Sequence, residues 1–132
     1  LNLSVLQKKR NVMKYLFLHY PKCGTCIKAA KWLRANGIDV EARDITLQNP
    51  TAQELSAWIS ASGLPIRKFF NTSGLKYREL NLKEKMETAT REELLSVLAS
   101  DGKLVKRPLL VAADFVLVGF DETAWRQRLA VR

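Results

Sequence analysis

Residues 14–31, KYLFLHYPKCGTCIKAAK, contain the pattern that decides the fold. The first six of these residues are rich in aromatic and large apolar side chains, which is typical of a buried strand. Pro21 ends that strand because proline has no amide proton to donate to a ladder. From Thr25 onward the pattern becomes helical, and Gly37 is expected to end the helix. The predicted buried face of this helix contains Ile27, Ala30 and Leu33.

The two cysteines of the chain, Cys23 and Cys26, fall at the start of this helix. Unpaired amides and the helix dipole stabilise an anion at such a position, which lowers the pKa of a thiol and provides thiolate near neutral pH. The adjacent Lys22 is expected to act in the same direction. A CxxC motif that directly follows a strand and opens a helix is typical of thioredoxin-like redox proteins. We therefore predict redox or nucleophilic chemistry in which Cys26 can reach Cys23.

Two other interpretations of the cysteines remain open at this point. Both thiols could be inert, because free cysteine behaves as a small buried hydrophobe. They could also form half of a zinc site. Zinc requires about four ligands, however, and the chain offers two cysteines and a single histidine. We therefore expect no metal and no bound cofactor.

Length and composition narrow the class of protein. The 132 residues suit one domain, and an apolar share of 47% is enough for a substantial core. No apolar run is long enough to span a bilayer, and no secretory signal pattern is visible. The expected location is therefore the cytoplasm, where a cycling disulfide is more plausible than a permanent structural one.

The basic balance of the chain does not by itself indicate a nucleic-acid-binding protein. The net charge of +9 attracts anions in general. The basic residues are spread along the sequence and interleaved with acids, without a dense tract flanked by stacking aromatics. Direct binding of nucleic acid is therefore not expected.

The order of the remaining elements predicts an α/β fold with a mixed sheet. Residues 1–12 form an N-terminal extension without assigned chemistry, and residues 13–132 form one domain. A strand over 38–42 is followed by a helical block at about 51–100, in which Thr51 with Glu54 and Thr90 with Glu93 have the spacing of capping boxes.

Within the block we predict a short helix over residues 77–85. Strands over 104–111 and 115–118 then form an antiparallel hairpin, and Asp121 caps a last helix. The result is a thioredoxin-like core of the order β-α-β…β-β-α, with a helical insertion between its second and third strands.

Three segments carry a resemblance to a known family: HYPKCGTCIKA, GLPIRKFFNTSGLKYREL and LVKRPLLV. Together they resemble the arsenate reductase-like (ArsC/Spx/MgsR) family of thioredoxin-fold proteins, and the resemblance covers about residues 14–125. It implies that Cys23 is the nucleophile and that Cys26 corresponds to the second cysteine of Spx-like members. It also implies that Arg107 faces the active cysteine and that the Arg107–Pro108 bond is cis. The supporting residues implied around this pair are Lys22, Gly24, Thr25, Pro108, His19 and Asn71.

Two of these matches need comment. His19 matches a histidine of the arsenate reductase branch, although a local hydrogen bond at the strand end would explain it equally well. Arsenate reductases of this fold are similar in carrying three arginines around the oxyanion. Arg107 supplies one, whereas Asn71 and Phe120 occupy the other two places. Arg67 or Lys68 could compensate if the helical block turned them inward. The resemblance therefore implies weak arsenate reduction.

The resulting expectation is a bacterial, monomeric thiol-disulfide oxidoreductase that uses the Cys23–Cys26 pair. A thioredoxin or glutaredoxin system, or glutathione, would supply the reducing thiol. The alternative is a redox-sensing transcriptional regulator like Spx, which binds the C-terminal domain of the RNA polymerase α subunit.

Overall fold

The computed structural model describes residues 15–131, so the predicted extension at 1–12 lies outside the described part. The centre of the fold is a mixed four-stranded sheet with the order β2-β1-β3-β4. The central strand β1 runs parallel to β2 and antiparallel to β3, and β3 runs antiparallel to β4. The predicted mixed sheet of a thioredoxin-like core is therefore confirmed. The strands are β1 (Tyr15–His19), β2 (Val40–Asp44), β3 (Leu109–Val111) and β4 (Val116–Val118).

Helix α1 (Gly24–Ala35) joins β1 to β2 and ends before Gly37, as predicted. The predicted buried face of α1 is wrong at its first position, because 45% of Ile27 is exposed. The large ring of Trp32 decides the rotation of the helix, since it packs edge-on against Trp125 with ring centroids 6.2 Å apart. The buried residues of α1 are Cys26, Ala29, Trp32 and Leu33.

The helical insertion begins with α2 (Ala52–Ser62), and both predicted capping boxes form at the starts of their helices. Arg43 on β2 also bonds both carboxylate oxygens of Glu54, at 2.8 and 3.0 Å, which ties the insertion to the sheet edge. The single helix predicted over 77–85 is wrong. Asn81 adopts a left-handed conformation with φ of 54°, so the chain turns there and two short helices form. The remaining helices of the insertion are α3 (Leu75–Glu79), α4 (Leu82–Thr88) and α5 (Arg91–Ser100).

The strand predicted over residues 104–111 is wrong in its first half, and only β3 is regular. Val105 instead forms an isolated antiparallel bridge with Phe70. The chain then passes through a cis peptide bond between Arg107 and Pro108, and Pro108 has no amide to extend the ladder. A short 3-10 helix precedes each partner of this bridge: Ile66–Phe69 lies directly before Phe70, and Gly102–Leu104 directly before Val105.

The sheet separates two apolar cores, because successive residues of β1 point to opposite faces. Leu18 packs with the helical insertion, whereas Phe17 packs with α1 and the last helix, α6 (Glu122–Arg128). Asp121 caps α6 as predicted, and its carboxylate accepts a hydrogen bond from the Ala124 amide. Within the described residues, no helix has the length and apolar character needed to cross a membrane.

Candidate active site

The candidate site lies at the edge of the sheet where β1 ends and β3 begins. Cys23 follows the carboxyl end of β1, and Arg107 precedes the amino end of β3. Because β3 runs antiparallel to β1, these two ends meet at the same edge. The sheet topology therefore brings together residues that are 84 positions apart in the sequence.

Cys23 is the N-cap residue of α1. Its backbone is extended (φ −88°, ψ 117°), and its sulfur accepts a hydrogen bond from the Cys26 amide at 3.4 Å. The Cys23 amide donates to the Tyr20 carbonyl at 3.0 Å, which closes the turn at the end of β1. The sulfur therefore takes the position of a normal capping oxygen, where a negative charge is stabilised.

The surroundings of Cys23 lower its pKa below the ordinary value of 9.0. Partial burial is the largest single influence and acts in the opposite direction. The hydrogen bonds from the side chain and the amide of Cys26 lower the pKa, and Arg107 contributes both its charge and a hydrogen bond. Together these favourable interactions outweigh the desolvation, so the thiolate is the stabilised form.

The surroundings of Cys26 have the reverse effect and raise its pKa to about 12. Burial is the main cause, and only 1% of the residue is exposed. Its hydrogen bond to Cys23 and the charge on Cys23 raise the pKa further, whereas the backbone of Tyr20 and the charge of Arg107 act against the rise without offsetting it. Cys26 is therefore a protonated thiol that donates to the Cys23 thiolate.

Arg107 is held beside the pair by contacts to main chain and to an aromatic ring. Its Nη1 donates to the Lys103 carbonyl at 3.3 Å, and the guanidinium carbon lies 5.0 Å from the centroid of the Tyr20 ring. Its Nε is buried without a hydrogen-bond partner among residues 15–131. Besides its interaction with Cys23, Arg107 is thus oriented by one main-chain bond and one ring, and its Nε remains available as a donor.

Asn71 is held by the same carbonyl as Arg107. Its side-chain Nδ2 donates to the Lys103 carbonyl at 3.3 Å, and its main-chain amide donates to the Leu104 carbonyl at 2.8 Å. A Cβ atom on Gly74 would lie 2.7 Å from the same Nδ2, so a larger residue there would displace the Asn71 side chain. A single carbonyl oxygen therefore positions both the arginine and the asparagine that the sequence assigned to the site.

Asn71 and Arg107 line one cavity of about 440 Å³. The sequence analysis missed most of its other residues. Tyr20 is adjacent to the CxxC turn and could have been inferred from that position, but the lysines and acids come from distant segments without a motif. The other side chains that line this cavity are Tyr20, Leu75, Lys76, Glu79, Asp101 and Lys103.

The remaining predicted residues lie at the rim of the site or elsewhere. Lys22, Gly24 and Thr25 are exposed at the start of α1, and Lys22 is not among the groups that shift the pKa of Cys23. His19 stacks on Phe17, with ring centroids 5.4 Å apart and planes within 6°. It lines a different cavity, between α1 and β2.

The substitutes proposed for the missing arginines do not lie in the cavity of Arg107. Arg67 and Lys68 both line another cavity, on a different part of the insertion. Phe120 packs edge-on against Trp125, with centroids 4.9 Å apart and planes at 89°, and belongs to the apolar core. Among residues 15–131, no group of three or more His, Cys, Asp or Glu side chains is arranged to hold a metal ion.

The model of the ArsC family matches residues 18–128, which include the whole of this site. The chain belongs to the ArsC family. It is 50% identical over 118 residues to the protein YusI of Bacillus subtilis (strain 168), covering 89% of this chain and all of YusI. It is 31% identical to the regulatory protein MgsR of the same organism, over 80% of this chain and 82% of MgsR. It is also 31% identical to an arsenate reductase of Rhizobium meliloti (strain 1021), over 76% of this chain and 70% of that enzyme.

Solved structures agree with this assignment. An ArsC family related protein from Bacteroides fragilis superposes with a TM-score of 0.84 and 56% sequence identity. The match covers 87% of this chain and 97% of that structure. The family and the thioredoxin-like fold implied by the three sequence segments are confirmed.

Proposed function

We propose that this member of the ArsC family is a thiol-disulfide oxidoreductase in which Cys23 is the nucleophile and Cys26 the resolving thiol. The observation that carries this proposal is the opposite shift of two hydrogen-bonded thiols: the pKa of Cys23 is lowered and that of Cys26 is raised to about 12. One sulfur is thereby ready to attack, while its neighbour is kept as a protonated donor.

In the first step the Cys23 thiolate attacks one sulfur of a substrate disulfide. A bond forms between the Cys23 sulfur and that atom, the substrate S–S bond breaks, and the second substrate sulfur leaves as a thiolate. The product is a mixed disulfide on Cys23. Arg107 lies beside the sulfur that carries the charge before the attack.

In the second step Cys26 releases its proton and attacks the Cys23 sulfur. Two of the causes that raise the pKa of Cys26, its hydrogen bond to Cys23 and the charge on Cys23, disappear once Cys23 is in a mixed disulfide. Cys26 is therefore activated only after the first step. The substrate leaves as a second thiolate, the Cys23–Cys26 disulfide forms, and a dithiol such as thioredoxin or glutaredoxin returns the two electrons.

Arsenate is expected to be a poor substrate. Of the three arginine positions implied by the resemblance, only Arg107 carries a guanidinium, whereas Asn71 is an amide and Phe120 is part of the core. Each charged hydrogen bond contributes on the order of 1.5–3 kcal/mol, so two missing donors could reduce kcat/KM by several orders of magnitude. A disulfide carries no negative charge, so its binding does not depend on the missing arginines.

A second candidate function is redox-controlled regulation of transcription through RNA polymerase. The similarity to MgsR, which extends over 80% of this chain, favours this alternative. In this interpretation the same cysteine pair is a sensor, and formation of the disulfide changes a surface that the polymerase α subunit recognises.

The deciding experiment is a coupled assay with a model disulfide and with arsenate, each supplied with either the thioredoxin or the glutaredoxin system. An ArsC-family arsenate reductase serves as the positive control. Turnover of the disulfide with weak arsenate reduction supports the proposal, and Asn71→Arg should then raise the arsenate activity. Arsenate reduction equal to that of the control would overturn it.

The regulatory alternative needs a separate measurement. Reduced and oxidised protein should be tested for binding to the isolated C-terminal domain of the α subunit. Binding that depends on the redox state, without turnover of disulfide or arsenate, would favour the regulator over the enzyme.

A further inference from the structure

A second cavity, of about 560 Å³, lies in the helical insertion and is separate from the cavity of Arg107. Its wall comes from the 3-10 helix Ile66–Phe69, from α4, from Lys106 and from Val118 on β4. The volume is within the range of sites that bind small molecules, roughly 300–1,000 Å³. The proposed thiol chemistry makes no use of this cavity.

The cavity carries a strong excess of positive charge. Four cations line it, namely Arg67, Lys68, Lys83 and Lys106, against one acid, Glu87. None of the four cationic side chains has an ion-pair or hydrogen-bond partner within the described part of the chain, residues 15–131. The cavity of Arg107 is more balanced, with three cations and two carboxylates. Four unpartnered cations that line one cavity repel one another, and an anionic ligand would relieve that repulsion.

The same cavity also offers apolar contact. Phe70 and Tyr77 form part of its wall and pack edge-on with ring centroids 6.2 Å apart. Leu64, which also lines the cavity, leaves 40% of its surface exposed, as one of few large apolar side chains that do so among residues 15–131. A ligand that fits these surroundings has both a charged group and a compact apolar body.

We propose that this cavity binds a small phosphorylated molecule that carries a ring, with the phosphate held by Arg67, Lys68, Lys83 and Lys106. Phosphate is favoured because a guanidinium can donate two parallel hydrogen bonds to it, and lysine ammonium groups neutralise its remaining charge. The apolar wall at Leu64 takes the ring. This site is independent of the cysteine pair and of the proposed oxidoreductase activity.

The two cavities lie on opposite sides of one wall, so the experiment must distinguish between them. Phe70 and Lys106 line the basic cavity, whereas their chain neighbours Asn71 and Arg107 line the cavity near Cys23. The Lys106 amide donates to the Phe69 carbonyl at 2.7 Å, which fixes the two segments to each other. Variants on each side of this wall can therefore assign a bound ligand to one cavity.

The test is calorimetric titration of the reduced full chain at low salt with phenyl phosphate and with inorganic phosphate. We expect one saturable site that binds phenyl phosphate at least about threefold more tightly than inorganic phosphate, because only the former uses the apolar wall. The double variant Lys68→Gln/Lys83→Gln should weaken binding of phenyl phosphate at least about tenfold. Its thiol exchange activity should stay that of the parent.

Two control variants make the outcome decisive. Lys28→Gln/Lys31→Gln removes the same charge from the exposed face of α1, and Arg107→Gln alters the other cavity. Both should bind phenyl phosphate within about twofold of the parent, apart from general screening effects. The proposal is overturned by absence of saturable binding, by an equal loss in both double variants, or by a loss only in Arg107→Gln. Tighter binding of hexaglutamate than of phenyl phosphate would also overturn it, in favour of an acidic protein segment.

Discussion

Cys23 and Cys26 are three residues apart on one turn of chain, yet their surroundings shift their pKa values in opposite directions. Cys23 lies at the start of α1, where an amide, a thiol and Arg107 stabilise its thiolate. Cys26 lies one turn inside, on the buried face of the same helix, where burial raises its pKa to about 12. The spacing of a CxxC motif therefore permits a redox pair, whereas capping and burial assign the roles within it.

Removal of each sulfur in turn is the strongest test of the difference between the two cysteines. Cys23→Ser should abolish exchange with a model disulfide, with a loss of at least about 10³-fold in kcat/KM, because the thiolate is the nucleophile. Cys26→Ser should instead accumulate a mixed disulfide on Cys23, which mass spectrometry of the intact protein detects. A mixed disulfide that accumulates on Cys26 in the Cys23→Ser protein would reverse the two roles.

The pH dependence of alkylation tests the opposite pKa shifts of the two thiols. In Cys26→Ser the remaining thiol should reach half of its maximal labelling rate below pH 9.0, because the pKa of Cys23 is lowered. In Cys23→Ser the labelling of Cys26 should still rise above pH 9.0, because burial alone favours the neutral thiol. At pH 7 we expect the rates to differ by at least about 10²-fold. Similar pH profiles for the two variants would contradict the assignment.

Arg107 tests the electrostatic part of the difference. Arg107→Ala removes a charge and a hydrogen bond from the Cys23 thiolate, so it should raise the pKa of Cys23 and slow its alkylation at pH 7 about three- to tenfold. Arg107→Lys keeps the charge and should have a smaller effect. Circular dichroism and thermal melting serve as the folding control. An unchanged labelling rate in folded Arg107→Ala would show that the cap and Cys26 suffice.

Lys22 provides the smallest expected effect. Its side chain is exposed and is not among the causes of the pKa shift of Cys23, in contrast to the expectation from sequence. Lys22→Gln should therefore change the alkylation rate of Cys23 at pH 7 by less than about twofold at physiological salt. A change as large as that in Arg107→Ala would mean that Lys22 contacts the thiolate in solution.

The features that the sequence predicted correctly are those encoded within a few residues. The helix start at Cys23, the two capping boxes and the helix end at Gly37 each depend on one short segment. Only the first half of the strand predicted over residues 104–111 was wrong, because that half is paired with Phe69, Phe70 and Asn71, far away in the sequence. A local pattern carries no information about such partners.

In the candidate site, too, the contacts between segments distant in sequence could not be predicted from local patterns. The prediction that Arg107 faces Cys23 came only from the resemblance, since nothing in LVKRPLLV points to a cysteine 84 positions earlier. The Lys103 carbonyl that orients both Arg107 and Asn71 could not be predicted at all, because every residue except the chain terminus has such a carbonyl. The choice of this one depends on the 3-10 helix Gly102–Leu104. That helix can form because Gly102 packs against the Ile45 carbonyl, where a Cβ atom would collide with it.

The position of Cys23 as the cap of α1 has a consequence for the reduction potential of the pair. A disulfide sulfur carries no negative charge, so oxidation removes the charge-assisted cap from the first turn of α1 and weakens its interaction with Arg107. An N-cap contributes on the order of 0.5–2 kcal/mol, and this stabilisation is present in full only in the reduced protein. A couple whose reduced form is selectively stabilised is a stronger oxidant. For the proposed redox pair, the start of α1 therefore favours a more oxidising Cys23–Cys26 disulfide, whose reduction would restore the charge-assisted cap on the first turn of the helix.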